Sequence, residues 1–473
     1  MQIHWHRRDL RAVDNAGLAA AAAPAEDDGP VVPVFVFDEA VLAHAAPPRV
    51  AFMLDALDSL RAWYRERGSD LVVARGDPAD VLPDLAERHG ASVVTWGEDY
   101  SGLAKERDAR VRLALDEVDV DRRVVTDSVL HEPGSITTND GEPYSVFTYY
   151  GRKWQDRPKD DPYEPPTSST LADVSGNPLP SLEALGFDEP AAQIPTADPA
   201  AARERLAAFC DGPIYEYEDL RDVPATENTS RLSPHLKFGT LGIREVYAAT
   251  EAAKESAKDG ATDEQVESIE TFQSELAWRE FYFQVLAANP ETVSQNFKDY
   301  ENPIDWRNDP EEFEAWKAGE TGYPFVDAGM RQLRAEAFVH NRLRMVVASF
   351  LTKDLLVDWR RGYDWFRERL VDHDAASDVG GWQWAASTGT DAQPYFRVFN
   401  PTTQGERYDP DAEYITEYVP ELRDVDSDLI HEWPDLSQTQ RRNVAPEYPD
   451  PIVDHGERRE EAIAAFEAAR GDS

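Results

Sequence analysis

The sequence predicts an α/β domain followed by an all-α domain: an N-terminal parallel, Rossmann-like sheet, a long connector and a C-terminal helical domain. Three observations predict it. Over residues 1–130 short β-rich runs alternate with helical stretches, the rhythm of a parallel sheet with crossover helices. Over residues 131–200 the periodicity breaks and Pro, Ser, Asp and Gly accumulate, as in a connector. From residue 201 to 473 the apolar spacing is helical.

In chain order, residues 3–6, 31–37, 71–75 and 92–96 are the strands, and residues 49–67 and 78–89 are crossover helices. No glycine-rich dinucleotide fingerprint follows the first strand, and there is no phosphate-loop motif. The bland reading is an α/β scaffold with a pocket at its strand ends. Helices are expected over 264–288, 323–334, 337–359, 363–371 and 458–470. The acidic, proline-punctuated residues 421–450 are expected to wrap the surface.

Composition excludes several classes. A hydrophobic fraction of 41 % and an aromatic fraction of 10 % over 473 residues exclude a mostly disordered chain. No apolar run approaches the ~20 residues that span a bilayer. Residues 1–11 carry charge and aromatics where a signal peptide carries an apolar core, so a cytoplasmic protein is expected. The single cysteine, Cys210, excludes an internal disulfide and cysteine-based metal sites. Lys+Arg 48 against Asp+Glu 91 gives a net charge of −43, the solvated acidic surface of proteins that live in molar salt. That charge opposes general nucleic-acid affinity, so any DNA contact needs a local basic patch.

Several constellations can carry chemistry. Tyr217 and the run Thr229-Ser230-Arg231-Leu232-Ser233 suit an anion cradle, or else simple helix capping by Ser230 or Ser233. Glu275, Trp278, Arg279 and Tyr282 share one helix face, as a polar-ring site or as a core aromatic with flanking charges. Across residues 331–361 the cations Arg331, Arg334, Arg342, Arg344, Lys353, Arg360 and Arg361 outnumber the acids. This is the expected phosphate-facing patch; the alternative is internal ion pairing. Asp372-His373-Asp374 lacks the glycine of a calcium loop, and metal binding there is rejected. The small residues around Gly380-Gly381-Trp382-Gln383-Trp384 permit close approach of a ligand.

The chain resembles the photolyase/cryptochrome family. The motifs that carry this are Trp5-His6-Arg7-Arg8-Asp9-Leu10-Arg11, the Thr229 run, Trp278-Arg279-Glu280-Phe281-Tyr282, Thr321-Gly322-Tyr323-Pro324, His340-Asn341-Arg342-Leu343-Arg344-Met345 and residues 380–391. The likeness runs nearly end to end and is strongest to class I cyclobutane-dimer enzymes. It implies an antenna-chromophore domain (1–130), a connector (131–200) and a helical domain (201–473) that holds FAD and the DNA lesion. It assigns Tyr217, Thr229, Ser230, Arg231, Leu232, Ser233, Arg279, Asn341, Arg344, Asp372, Asp374 and Asp378 to the flavin, with Arg344 and Asp372 expected to pair. It assigns Glu275, Trp278, Asn341, Arg342, Met345 and Trp384 to a flipped-out pyrimidine dimer in DNA, and Trp382, Trp359 and Trp306 to electron delivery.

Two departures bear on the expectation. Asp378 stands where dimer-repair members carry asparagine and plant-type receptors carry aspartate, which keeps a blue-light receptor with a protein partner as the alternative. Leu103 and Ala104 stand where folate-type members carry an Asn-Glu pair, and Leu236-Lys237-Phe238-Gly239 resembles deazaflavin-type members. The antenna is therefore expected to be 8-hydroxy-5-deazaflavin, with Arg49, Asp99 and Lys237 as contacts; methenyltetrahydrofolate or no antenna is the alternative. A monomer without metal is expected.

Overall fold

Strands β1 (Gln2–His6), β2 (Val31–Phe37), β3 (Val72–Arg75), β4 (Val93–Gly97) and β5 (Asp121–Val125) form one parallel sheet in the order β3-β2-β1-β4-β5. The computed structural model describes residues 1–23, 29–258 and 262–471. Helices α1 (Ala16–Ala22), α2 (Pro47–Arg65), α3 (Pro78–His89) and α4 (Gly102–Glu117) make the crossovers. Both sheet faces are covered. Phe35 and Phe37 pack on Leu57 and Leu60 of α2, and Ile3 and Val34 pack on Leu82 and Val111 of α3 and α4. That explains the near-continuous apolar composition of β2.

Sequence periodicity does not reveal β5. Its Asp121-Arg122 start is exposed, and only its ladder with β4 defines it. A charged edge strand of this kind also blunts unwanted pairing. The strand order reverses between β1 and β4, so the segments after these two strands face the crevice where α/β proteins bind ligands.

The connector carries helix α5 (Phe147–Asp156), whose Tyr150 and Trp154 are buried, and Leu171 bridges to Val31 of β2. The helical domain contains α6 (Ser233–Phe238), α7 (Ile243–Lys258), α8 (Asp263–Ala288), α9 (Pro324–Glu336), α10 (Asn341–Ser349), α11 (Trp359–Arg369), α12 (Ala375–Ala385) and α13 (His455–Arg470).

Two expectations are corrected here. The single helix expected over 337–359 is broken. Ala337 ends α9 in the left-handed region (φ 51°), His340 starts α10 by accepting from the Arg342 N–H (3.2 Å), and a π turn closes it at Phe350–Asp354. Asp358 then caps α11 (3.0 Å to the Arg360 N–H). The apolar spacing runs through all of this, so periodicity alone could not locate the breaks. Residues 421–450 do wrap the helical domain, but Leu422, Ile430, Trp433 and Tyr448 are core residues. Their irregular spacing hides them from a periodicity test.

The domains dock through buried charge. Arg11 donates to Asp127 (2.8 Å), and Arg244 at the start of α7 donates to Asp14 (2.6 Å) and Asp127 (2.9 Å), all at side-chain exposures of 5 % or less. Gly239 (φ 66°) closes α6 directly on the Arg8 backbone, where a Cβ would lie 2.2 Å from the Arg8 carbonyl oxygen. Only glycine fits there.

Candidate functional site

Asp372 is the centre of the candidate cofactor cradle. It lies in the loop between α11 and α12, and its Oδ2 accepts from Ser233 Oγ (2.6 Å) and Arg344 Nη2 (2.7 Å). The expected Arg344–Asp372 pair is thus present. The other oxygen, Oδ1, is buried and has no hydrogen-bond partner among the described residues. Arg344 also donates to the Val339 carbonyl (3.0 Å) and approaches Asp378 Oδ1 (3.5 Å). Asp378 Oδ2 meets His373 Nδ1 at 2.5 Å, and burial draws the His373 imidazole below its ordinary value while Asp378 opposes this. Asp374 caps α12 through Oδ1 (3.0 Å to the Ala376 N–H). Arg279 donates to the Ser128 carbonyl (2.8 Å); burial lowers its guanidinium to about 10, opposed by Asp374.

The Thr229 run divides. The capping alternative is not realised: α6 starts without a side-chain cap, and Ser233 turns its hydroxyl to Asp372 instead. Thr229 and Ser230 are half-buried, and neither hydroxyl has a hydrogen-bond partner among the described residues. Leu232 is core. Arg231 is exposed, pairs with Glu336 and lies over the Phe338 ring. Tyr217 is buried edge-on against Phe209 and Phe272.

These groups fit FAD. An open, buried carboxylate oxygen needs a donor such as a ring N–H or a ribityl hydroxyl. The free hydroxyls of Thr229 and Ser230 suit a phosphate.

A second face is built from α8, α10 and α12. Glu275 is half-buried and accepts from Arg221 (2.6 Å); burial pushes its carboxyl up while Arg221 pulls it down. Trp278 stacks on Phe147 of the connector (3.8 Å between centroids, 11°), so that face is taken. Tyr282 lies against Gly380, where a Cβ would come within 2.2 Å of its ring. Asn341 is exposed above Met345 (3.8 Å to Sδ), and Trp384 is half-buried near Phe399 (6.3 Å). Arg342 pairs with Asp222 and lies over the Tyr408 ring.

The expected basic patch over 331–361 is not a continuous surface. Arg331 pairs with Glu421, Arg342 with Asp222, Arg344 with Asp372 and Arg360 with Asp358. Arg334 and Arg361 donate to the carbonyls of Ala318 and Asn308, and Lys353 is buried on Ser387. Internal ion pairing accounts for four of the seven cations, Arg331, Arg342, Arg344 and Arg360.

The three tryptophans assigned to electron delivery share one core. Trp382 packs edge-on against Phe366 (5.0 Å, 81°), and its ring lies over Gly362 of α11. Trp359 begins α11 and donates to Asn296 Oδ1 (2.9 Å). Trp306 is partly exposed and meets Phe466 (5.9 Å).

Two of the antenna candidates, Asp99 and Lys237, lie near the strand-order reversal. Asp99 follows β4 and accepts from Arg8 (3.4 Å), which follows β1. Lys237 of α6 is lowered to about 8 by burial and by Arg8, with Asp374 and Asp99 opposing. Arg49 is tied down separately, donating to the carbonyls of Leu370 (3.1 Å), His44 (2.9 Å) and Arg367. Sequence reasoning gave no role to Arg8, Phe147, Arg221, Asp222 or His373. The first lay inside a quoted motif; Phe147 lies in a segment read as connector. His4, His6 and Asp9 also gather near one another, but Asn15 Nδ2 donates to Asp9 Oδ2 (2.9 Å) from among them.

Comparisons with known proteins agree with this geometry. The family described as FAD binding domain of DNA photolyase matches residues 272–468, and that described as DNA photolyase matches residues 2–168. A deoxyribodipyrimidine photo-lyase of Halobacterium salinarum is 64 % identical over 100 % of both chains. One from Escherichia coli is 37 % identical over 98 % of both. The solved class III photolyase of Agrobacterium tumefaciens superposes with a TM-score of 0.89 at 35 % identity, covering 99 % of this chain and 98 % of that one. An archaeal photolyase from Sulfolobus tokodaii, solved with two FAD molecules, gives 0.81 at 32 % identity over 99 % of each chain. With this conservation of sequence and fold along its whole length, the chain belongs to the DNA photolyase family, and its C-terminal half is that family's FAD-binding domain.

Proposed function

We propose that this chain is a deoxyribodipyrimidine photo-lyase, a carbon–carbon lyase that uses light to split cyclobutane pyrimidine dimers in DNA. The observation that carries the reading is the joining of two sites on the same helices. α10 bears Arg344 of the cradle and Met345 of the open face, and α12 bears Asp378 and Trp384. A flavin held by the cradle therefore lies close to a base resting on that face. Bound, reduced FAD supplies one electron under blue light and takes it back, so there is no net redox change.

The chain's own groups do the rest. Asp372 is fixed by Ser233 and Arg344 and offers Oδ1 to the cofactor; Asp374, Asp378, Asn341, Tyr217, Thr229 and Ser230 surround it. Trp278, backed by Phe147, gives one wall for the everted dimer, and Trp384 and Met345 give the other. Stacking on such walls offsets part of the cost of leaving the duplex. Glu275 offers a hydrogen bond to a dimer carbonyl, with Arg221 holding it in place, and Asn341 and Arg342 meet the flanking backbone. Trp382, Trp359 and Trp306 relay electrons inward to the flavin.

The domain roles follow: antenna over 1–130, connector over 131–200, FAD and lesion binding over 201–473. For the antenna we favour 8-hydroxy-5-deazaflavin near Asp99 and Lys237. The second FAD of the Sulfolobus tokodaii photolyase supports a flavin-like ring in this family. Arg49 is a weaker contact, since carbonyls already engage it. A cytoplasmic monomer without metal completes the reading. Among the described residues no helix is long and apolar enough to cross a membrane.

The test is repair of a defined thymine-dimer oligonucleotide by the reduced protein under blue light. Turnover supports the reading. Full flavin occupancy without turnover would overturn it; the receptor alternative raised by Asp378 is not favoured by relatives named deoxyribodipyrimidine photo-lyase along the full chain. An absorption spectrum of the purified protein identifies the antenna.

A further inference from the structure

The Trp5–Arg11 motif lies in the N-terminal domain, yet one of its side chains reaches the cofactor cradle. His4, His6, Asp9 and Asn15 form a buried polar nest at the end of β1. His4 Nε2 meets Asp9 Oδ2 (3.2 Å), His6 Nε2 meets the Tyr64 hydroxyl (2.7 Å), and Asn15 Nδ2 donates to Asp9 (2.9 Å). Asp9 Oδ1 accepts from the Arg7 N–H (2.6 Å), and the Leu10 N–H donates to Phe238 of α6 (3.1 Å). Gly239 rests on the Arg8 carbonyl. The backbone of Arg8 is therefore fixed on both sides.

Its side chain crosses the domain boundary. One Nη pairs with Asp374 and the other reaches Asp99 (3.4 Å), while the guanidinium lies over the Phe283 ring of α8 at 5.2 Å. Asp374 has one oxygen on the α12 cap and the other on Arg8. Burial raises the Asp374 carboxyl, but the charges of Arg8, Lys237 and Arg279 outweigh it and hold the group below the usual carboxylate range.

We propose that Arg8 is a positioning residue for the flavin: from the N-terminal domain it orients Asp374 and the start of α12, so cofactor binding depends on the docking of the two domains. A planar, five-donor guanidinium suits this bridging of two carboxylates; an ammonium does not reproduce it. The inference rests on the proposed role of Asp374 at the flavin.

The neighbouring Arg7 supplies the control. It forms a more deeply buried pair with Asp108 (2.8 Å) that stays inside the N-terminal domain. Arg8→Gln and Arg7→Gln are compared in the full chain with FAD. Arg8→Gln is expected to raise the FAD dissociation constant about tenfold and to shift the bound-flavin absorption and circular dichroism bands. Arg7→Gln is expected to keep both at wild-type values despite a lower Tm, and Arg8→Lys to fall between. The proposal is overturned if the two glutamine variants behave alike, or if Arg8→Gln keeps wild-type affinity and spectrum. Should Arg8→Gln not fold, wild-type affinity and spectrum in Arg8→Lys overturn it. FAD binding by Asp374→Ala at wild-type strength would instead remove the role of Asp374 itself.

Discussion

Two sets of tryptophans in the helical domain share a residue type and differ in what surrounds them. Trp359 and Trp382 are sealed in the core, at 0 % and 3 % exposure, and Trp382 is packed edge-on. Trp278 and Trp384 are half-buried, and Trp278 is stacked face-on against Phe147 with Tyr282 tilted beside it (5.7 Å, 39°). A sealed indole cannot receive a base, but it lies among polarisable rings, and the Trp359 N–H is satisfied by Asn296. An open indole face accepts a planar ligand and keeps its rigidity because another ring braces it. On the proposed reading, placement rather than residue type separates the inner relay pair Trp359 and Trp382 from the lesion walls, while Trp306 at the rim is half-buried like those walls.

Substitutions on either side break or sharpen that division. The largest effect is expected from Trp382→Phe, which should abolish photoreduction of the oxidised flavin while repair by chemically reduced protein stays near wild type. Equal loss of both would merge the two sets. Trp278→Ala should weaken binding of dimer-containing DNA by about 1–3 kcal/mol, the worth of one stacked base, and leave FAD content unchanged; filter binding against absorbance reads both. Glu275→Ala should keep FAD and bind damaged DNA, with a severalfold lower quantum yield; an unchanged yield would contradict its contact with the dimer.

The smallest effect concerns the sealed region alone. Lys353 lies there, 3.6 Å from the Phe466 ring centroid, with Nζ on Ser387 Oγ (2.8 Å). Burial, helped by Lys298, holds its amine well below the ordinary 10.5. The folded chain binds fewer protons at this site than the unfolded chain, so its stability rises with pH up to about 10.5. Lys353→Met should raise Tm at pH 7 by about 3 °C, and the gain should shrink towards pH 10. A gain independent of pH would show that packing, not charge, is responsible.

Much of the site was legible because it lies in short runs. Glu275, Trp278 and Tyr282 fall on one face of α8, and Asn341, Arg344 and Met345 on successive turns of α10, so helix geometry alone gathers each group. The Arg344–Asp372 pair followed from the resemblance. Counting cations along a sequence overstates a basic patch, because it ignores acids such as Asp222 and Glu421 that fold back onto Arg342 and Arg331. The helix expected over 337–359 failed because its breaks rest on His340 and Asp358 caps, which leave apolar spacing intact.

By itself, then, the sequence determined the α/β-then-α order, the acidic surface and which local stretches carry aromatic and polar ligand groups. Those are set by composition and by the fixed period of helices and strands. The tertiary structure alone decided which partners those groups meet: Phe147 behind Trp278, Arg221 on Glu275, Ser233 on Asp372, and Arg8 across the domain boundary on Asp374. Hydrogen bonds and ion pairs act over a few ångströms, so only the folded chain, which brings residues hundreds of positions apart within that range, can choose among them.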